Sequence, residues 1–365
     1  MTTTQLDRSI GTRSDFEYDF LVFIGRFQPF HLGHQSVIDA ALEKARHVIV
    51  LIGSAKEARS LRNPFNWEER ASMIRAAYSP EIQQRIHCTP LLDLPYAEHS
   101  WIRNVQMSVQ GIACQFQVTG DKRIGLIGHA KDHSSYYLKM FPQWGHVDVP
   151  QFAELDATSI RETYLRLDAG FSGSAFHEMG AVPSAVDFLA EFFGSQAYKQ
   201  LQHEQAVIDE YKRAWNKTPY VPTFVTIDTV VVQSGHILLV KRRSSPGKGL
   251  WALPGGFVDP HEKLVDAAVR ELREETKIAV PKPVLYGSIK NKEVFDDPYR
   301  STRGRTITTC FLIELVGEPS GLPRIKGSDD AEKARWVPIA DLESDTMFED
   351  HFHIIQTMLR DTFTA

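Results

Sequence analysis

The tightest constraint on the fold lies near the start of the chain. An apolar run from Phe20 to Ile24 (FLVFI) leads into a Gly25-Arg26 turn and a stretch with helical spacing from Gly33 to Arg46, and a second apolar run from His47 to Ile52 (HVIVLI) ends in Gly53-Ser54. Strands that are apolar at nearly every position are buried on both faces, and two of them joined through a helix make a βαβ unit. The economical extension is an α/β doubly wound parallel sheet, in which ligands bind beyond the carboxyl ends of the strands. Further strands are predicted at Ile86 to Leu92, Gln115 to Val118 and Ile124 to Ile127, with helices around Trp67 to Ala77 and Trp101 to Gln110. The alternation continues to about residue 185.

At 365 residues the chain exceeds what one hydrophobic core usually supports, so two domains are expected. Residues 1–17 read as a flexible tail, 18–185 as the first domain, and 186–218 as a helical connector packing on it. The helical pattern stops at Lys217-Thr218-Pro219-Tyr220-Val221-Pro222, because proline removes a donor and restricts its predecessor. Residues 219–365 carry an α+β pattern. It begins with a hairpin turning at Ser234-Gly235-His236 and includes one strong helix from Leu264 to Thr276. Strands are expected near Val284 to Ile289, Arg305 to Glu314 and Ala334 to Val337, followed by a terminal helix after Phe348.

A net charge of -5 supplies no basic field for a nucleic-acid backbone, so phosphate affinity must be local and free nucleotides are the expected partners. Cys88, Cys114 and Cys310 are widely separated and include no CxxC pair, which argues against a disulfide framework or a structural zinc site. The first twenty residues are charged throughout, and no stretch of 18 apolar residues occurs. The expectation is a cytoplasmic protein without a membrane partner. The sequence is compatible with a homo-oligomer and does not decide it.

The segment Gly25-Arg26-Phe27-Gln28-Pro29-Phe30-His31-Leu32-Gly33-His34 falls where the first strand gives way to the first helix. Its H-x-G-H tetrad sets two imidazoles three positions apart beside unpaired helix N–H groups, a cradle for phosphate. Gly33 lets backbone approach a ligand without a Cβ in the way. This segment resembles the nucleotidyltransferase superfamily that shares H-x-G-H, and specifically the archaeal-type nicotinamide mononucleotide adenylyltransferases. Ile52-Gly53-Ser54-Ala55 and Asn63-Pro64-Phe65-Asn66-Trp67-Glu68-Glu69-Arg70 extend the likeness. Thr158-Ser159-Ile160-Arg161 resembles the late phosphate motif, although Asp156-Ala157 stands where relatives more often carry Ile-Ser or a second serine.

The resemblance implies transfer of an adenylyl group from ATP to nicotinamide mononucleotide (NMN), giving NAD and pyrophosphate, with Mg²⁺ or Mn²⁺ as cofactor. It implies catalytic roles for His31, His34 and Arg161, and nucleotide binding by Gly25, Arg26, Phe27, Gly33, Thr158 and Ser159. Asp93 and Trp101 fall in a segment like the family's D-x-x-x-Y/L-x-x-W stretch, where Trp101 would face the nicotinamide ring. A core tryptophan of an amphipathic helix is the competing reading for Trp101, and an incidental arginine after a helix cap for Arg161.

From Gly256 the spacing runs five residues to Glu262, seven more, then Arg270-Glu271-Leu272-Arg273-Glu274-Glu275-Thr276-Lys277-Ile278. Glu271, Glu274 and Glu275 share one helical face, where three like charges repel unless a hard cation sits among them. Oxygen ligands of this kind suit Mg²⁺ or Mn²⁺. The pattern resembles the Nudix box at every position except Lys277, which replaces a glycine and is expected to end the helix in a left-handed or tightened turn. Gly255 and Gly256 admit backbone near phosphate, and Val294 to Thr306, with Arg303 and Arg305, resembles the ADP-ribose pyrophosphatase branch. That likeness implies metal-dependent cleavage of ADP-ribose to AMP and ribose 5-phosphate, with Arg303 and Arg305 on the substrate or else simply exposed. Two alternatives stay open: a Nudix domain that binds a metabolite without turnover, and a transferase with a different acceptor.

Overall fold

The computed structural model describes residues 16–117, 120–129, 139–150, 152, 155–168, 170–319, 321–326 and 331–360. The chain divides into two compact units, one made of Met1–Lys56, Asn63–Leu94 and Glu98–Lys199, the other of Glu57–Arg62, Pro95–Ala97 and Gln200–Ala365. Among the described residues no helix is long and apolar enough to cross a membrane, and the three cysteines form no disulfide.

In the first unit the order is β1 (Tyr18–Gly25), α1 (Leu32–Lys44), β2 (Ala45–Ile52), α2 (Trp67–Ala76), α3 (Pro80–Gln83), β3 (Ile86–Pro90) and α4 (Glu98–Ala113). There follow β4 (Ile124–Gly128), β5 (Gly145–Asp148), α5 (Ala157–Leu165), α6 (Gly173–Glu178) and α7 (Pro183–Phe192). The sheet order is β3-β2-β1-β4-β5, parallel throughout, as the βαβ reading expected. The chain winds outward from β1 to β3, then returns to β4 on the other side, so the strand order reverses beside β1 and a crevice opens at its carboxyl end. Both faces of β1 are buried, which is why FLVFI lacks alternation; Phe20 and Val22 join Ile49, Leu51 and Leu126 in one core cluster.

The strand expected at Gln115 to Val118 is not formed: Gln115 and Phe116 close turns on Ile112 and Ala113 after α4, and Val118 lies outside the described residues. The Phe116 ring packs on Phe20, His47 and His87 instead, so its apolarity serves the core without pairing. The helical stretch after residue 185 is broken at Gly194 (φ +78°), which separates α7 from α8 (Gln196–Trp215).

The second unit contains β6 (Phe224–Gln233), β7 (His236–Arg242), β8 (Trp251–Ala252), β9 (Gly255–Phe257), α9 (Leu264–Thr276), α10 (Lys282–Gly287), β10 (Ile289–Phe295), β11 (Thr306–Glu314), β12 (Ala331–Pro338) and α11 (His351–Leu359). Its mixed sheet runs β10-β11-β6-β7-β12, with β8 on β7 and β9 on β6. The β6–β7 hairpin turns through Ser234 (φ +48°) and Gly235 (φ +73°), both left-handed as a two-residue turn of this kind requires. The strand expected at Val284 to Ile289 is instead α10 followed by the start of β10. Pro281 caps α10 and Pro283 sits in its first turn, where a missing N–H costs nothing, while Leu285 is buried.

Lys277 caps α9 at φ +46°, ψ +33°, the left-handed of the two turns expected there. A side chain there costs about 0.5–1 kcal/mol relative to glycine. Lys277→Gly is therefore expected to raise the unfolding midpoint by roughly 1–4 °C; calorimetry showing an unchanged or lower midpoint would count against this account of the cap.

Candidate active sites

At the carboxyl edge of the first sheet, Gly25 of β1 stands level with Ile52 of β2. His31 caps α1: its Nδ1 accepts the Gly33 N–H at 3.1 Å, and the side chain is 7% exposed. Its ring lies 3.7 Å, centroid to centroid, from that of His34. Phe30 stacks on His34 and Phe27 meets it edge-on at 4.8 Å, so apolar rings hold the second imidazole in place. A Cβ on Gly33 would lie 3.0 Å from the His31 ring, and one on Gly25 2.8 Å from the Phe27 ring. Both glycines thus make room for motif side chains, a packing role the spacing alone did not reveal. Phe27 is buried, with φ +54°, and supports His34 from below.

Arg161 reaches this edge from α5. Its Nη1 donates to the Gln28 carbonyl at 2.9 Å and its Nη2 to Thr158 Oγ1 at 3.3 Å. The Gln28 side chain in turn exchanges two hydrogen bonds with the Phe65 backbone, tying the GRFQPF and NPF segments together. Sequence reasoning missed this link, because an amide in a polar run carries no periodic signal. Asp156 is the N-cap of α5 and accepts the N–H groups of Thr158 and Ser159 at 3.0 and 3.2 Å. Burial pushes its pKa up, yet hydrogen bonds from Thr158 and Ser159 outweigh this and hold it below the ordinary carboxylate value.

Gly53 packs closely between strand ends: a Cβ there would lie 3.4 Å from Asp93 Oδ1, 3.7 Å from the Gly25 carbonyl and 3.9 Å from Arg26 Cγ. Gly25, Arg26 and Asp93 therefore converge. Ser54 donates to both Asp93 oxygens, its N–H at 3.0 Å and its hydroxyl at shorter range. Trp101, on α4, is half-buried against the Phe20 cluster and 6.3 Å from the Phe141 ring.

In the second unit α9 turns Ala267, Ala268, Val269 and Leu272 into the core, leaving the glutamates on the remaining faces. Glu275 Oε2 accepts the Gly255 N–H at 3.0 Å, and Glu271 lies so close to β9 that a Cβ on Gly256 would be 2.6 Å from Oε1. Gly255 is equally confined, since a Cβ would lie 2.6 Å from Asp228 Oδ1. Arg270 donates to its neighbour Glu271 at 2.8 Å and to Glu274, one turn along the helix, at 3.2 Å. It also forks onto both oxygens of Glu262, a partner the spacing displayed without explaining. Arg270 holds Glu262 down to about 2 through these hydrogen bonds.

Burial pushes Glu275 up to about 8; the Gly255 N–H opposes this, while Glu271 and Asp228 add to it. Burial also raises Glu271, against the pull of Arg270. Among the described residues no three His, Cys, Asp or Glu side chains stand grouped to hold a metal as they are. Glu271 and Glu274 are drawn to Arg270, and Glu275 to Gly255. Even so, two desolvated hard-oxygen donors with raised pKa are what a divalent cation would relieve, so the residues fit Mg²⁺ or Mn²⁺. Arg303 and Arg305 are not brought together: Arg303 lies over the Phe257 ring at 5.3 Å and 3.9 Å from Glu349, whereas Arg305 pairs with Asp296.

Glu275 keeps its proton to about pH 8 in the fold but releases it near 4.5 when unfolded, so folding takes up a proton between those values. Metal-free stability of this unit is therefore expected to fall as pH rises from about 4.5 to 8, with added Mg²⁺ or Mn²⁺ stabilising most at the upper end. Glu275→Gln should flatten both dependences. Melting curves with chelator and with metal across that range test this, and equal metal responses in the two proteins would refute it.

Residues 222–358 match the NUDIX domain and residues 22–108 the cytidylyltransferase-like family. The nicotinamide/nicotinic acid mononucleotide adenylyltransferase of Acinetobacter baylyi is 42% identical over 195 residues, covering 53% of this chain and 97% of that protein. The ADP-ribose pyrophosphatase of Methanocaldococcus jannaschii is 33% identical over 141 residues, covering 39% of this chain and 76% of that protein. Similarity to the crystal structure of a bifunctional NMN adenylyltransferase/ADP ribose pyrophosphatase from Francisella tularensis, complexed with AMP and a manganese ion, spans 94% of this chain and 99% of that one, at a TM-score of 0.85 and 36% identity. A likeness that covers both units at this identity decides the relationship, and the chain belongs to the family of bifunctional NMN adenylyltransferase/ADP-ribose pyrophosphatases.

Proposed function

We propose that this chain joins ATP and NMN into NAD and pyrophosphate at the edge of its first sheet, and hydrolyses ADP-ribose to AMP and ribose 5-phosphate against α9 of its second unit. One observation carries the reading: a single chain holds a donor-rich strand edge with His31, His34 and Arg161, and separately a desolvated carboxylate pair, Glu271 and Glu275, pressed against Gly255-Gly256.

In the transfer, a 5'-phosphate oxygen of NMN attacks the α-phosphorus of ATP in line, and the bond to the bridging oxygen of the departing pyrophosphate breaks. No side-chain nucleophile is needed, so the protein's work is placement and stabilisation of charge on the phosphoryl oxygens. His31 and His34 supply ring N–H donors, Arg161 a guanidinium, and Thr158 and Ser159 hydroxyls. Arg26, Gly25 and Gly33 line the approach of the phosphates. Asp93, held by Ser54, is proposed to meet the acceptor, and Trp101 to offer its exposed part to the nicotinamide ring.

For the hydrolysis, Glu271, Glu274 and Glu275 would hold Mg²⁺ or Mn²⁺, which neutralises the diphosphate and makes a bound water more acidic. The chain's own part is positional. Gly255 N–H aims Glu275, Arg270 with Glu262 steadies Glu271 and Glu274, and Arg303, held over Phe257 beside the glycine strand, is the arginine proposed to meet the substrate. Arg305, on Asp296, is the more remote candidate.

Crossed variants test the assignment. His34→Ala is expected to lower NAD synthesis at least about a hundredfold, on the order of 2.7 kcal/mol of barrier, while ADP-ribose hydrolysis survives. Glu275→Gln should do the reverse, with a comparable loss of hydrolysis and normal NAD synthesis. Chromatographic analysis of NAD and AMP from each substrate pair reads both; a variant that damages both activities equally, or neither, would break the two-site reading. Wild-type chain that makes NAD but never AMP would leave the second unit as a metabolite binder.

A further inference from the structure

Arg70, on α2, is 0% exposed, and its guanidinium spends its donors on backbone alone. Nη1 donates to the Arg26 carbonyl at 2.7 Å and the Gly53 carbonyl at 2.6 Å, Nη2 to the Ser54 carbonyl at 3.0 Å, and Nε to the Asn66 carbonyl at 3.0 Å. Burial lowers its pKa to about 10, with Asp93 opposing, so it stays cationic at neutral pH. A buried cation whose hydrogen bonds all go to neutral carbonyls, with its nearest anions held off it, is costly compared with an apolar side chain of similar size. What a guanidinium adds is direction: a planar fork whose donors fix several acceptors relative to one another.

Those acceptors are not scattered. Arg26 is the first residue after β1, and Gly53 and Ser54 are the first two after β2. Past Arg26 the chain runs into the Gln28–His34 segment, and Ser54 holds Asp93 through both its N–H and its hydroxyl. Ser54 sits at φ +49°, a left-handed conformation uncommon for serine, and its carbonyl is one that Arg70 binds. The side presenting the guanidinium is itself fixed: Asn66 and Glu69 form a reciprocal capping box with both hydrogen bonds at 2.8 Å, and Gln28 clasps Phe65.

We infer that Arg70 is a positioning residue for adenylyl transfer, setting the spacing between the His31–His34 segment and the Ser54–Asp93 loop while touching neither nucleotide. The inference rests on reading this edge as the transfer site. In-line attack tolerates little misplacement of donor and acceptor, so loosening the two strand ends should slow the chemical step more than it weakens binding.

The test uses the full chain with Arg70→Lys, which keeps charge without the fork, and Arg70→Gln. Each is assayed well below its own unfolding midpoint, so that unfolded protein is negligible. The expected result is a fall in kcat for NAD synthesis of at least about thirtyfold, with KM for ATP and for NMN within about threefold of wild type and ADP-ribose hydrolysis unchanged. Lysine should do better than glutamine. Wild-type kcat in folded Arg70→Lys would overturn the inference, as would a loss carried entirely by KM. Absence of a cooperative unfolding transition in both variants would also overturn it, by making Arg70 a requirement of folding and nothing more specific. His34→Ala, run in parallel, separates the two levels. If NAD synthesis survives there as well, the transfer-site reading fails; if it is lost there and intact in Arg70→Lys, only the positioning role fails.

Discussion

Moving a carboxylate or a guanidinium out of water costs several kcal/mol unless nearby charges and dipoles compensate it, and the build of both sites follows from how that compensation is made. Backbone does it in the first unit. Carbonyls of Gln28 and Ala157 take the Arg161 guanidinium, and four others take Arg70. In the second unit a single arginine serves three glutamates, Glu262, Glu271 and Glu274, and leaves Glu275 with one N–H. With one N–H and the more distant Arg242 set against burial and the charges of Glu271 and Asp228, the balance at Glu275 falls to burial.

The same constraint explains the glycines of the two motifs. Gly25, Gly33, Gly255 and Gly256 are absent from the left-handed positions, unlike Gly194 and Gly235. They are needed because an imidazole, a phenyl ring, a carboxylate or, at Gly255, the Ile227 carbonyl occupies the space a Cβ would fill. At Gly256 the occupant is Glu271 itself, so close packing brings a charged group against the strand and strips its water. Motif glycine and raised carboxylate pKa are two views of one contact.

Legibility from the sequence tracked how many residues share one physical signal. The βαβ opening, the hairpin at Ser234-Gly235 and α9 from Leu264 to Thr276 were readable because several residues in each carry one signal: unbroken apolar runs, turn residues between apolar runs, and helical spacing. β8 and β9 hold two and three residues, too few to show any period, and β5 is an edge strand of four with Val147 alone buried. Where apolar residues served something other than a strand the reading failed: Phe116 fills an aromatic cluster, and Val284 and Leu285 belong to a helix begun by prolines. Within the candidate sites the sequence offered side chains by type and spacing, His31 with His34 and Glu271 with Glu275 among them, and the fold sets those pairs close to one another or to the same strand. Their partners were not legible, because Gln28 with Phe65, or Arg70 with carbonyls far along the chain, depend on tertiary approach that no local pattern encodes.

The two departures from the family patterns differ in kind. Lys277 sits where only backbone freedom matters: its left-handed turn keeps its hydrogen bond to the Arg273 carbonyl, and the α9 carboxylates keep their places. Its cost is borne by the stability of the helix end. Asp156 sits where charge matters. Its carboxylate takes the N–H groups of Thr158 and Ser159, the donors that a hydroxyl at the cap would share more readily with an incoming phosphate, and those bonds keep it ionised. If the α5 tip receives the triphosphate, as proposed, the phosphate would compete for those N–H groups with an anion that already satisfies the helix, and the Arg161 guanidinium would have both to offset. A substitution that strengthens a cap thus weakens the field available to a ligand, which is a coupling between fold and function that the helix end makes unavoidable.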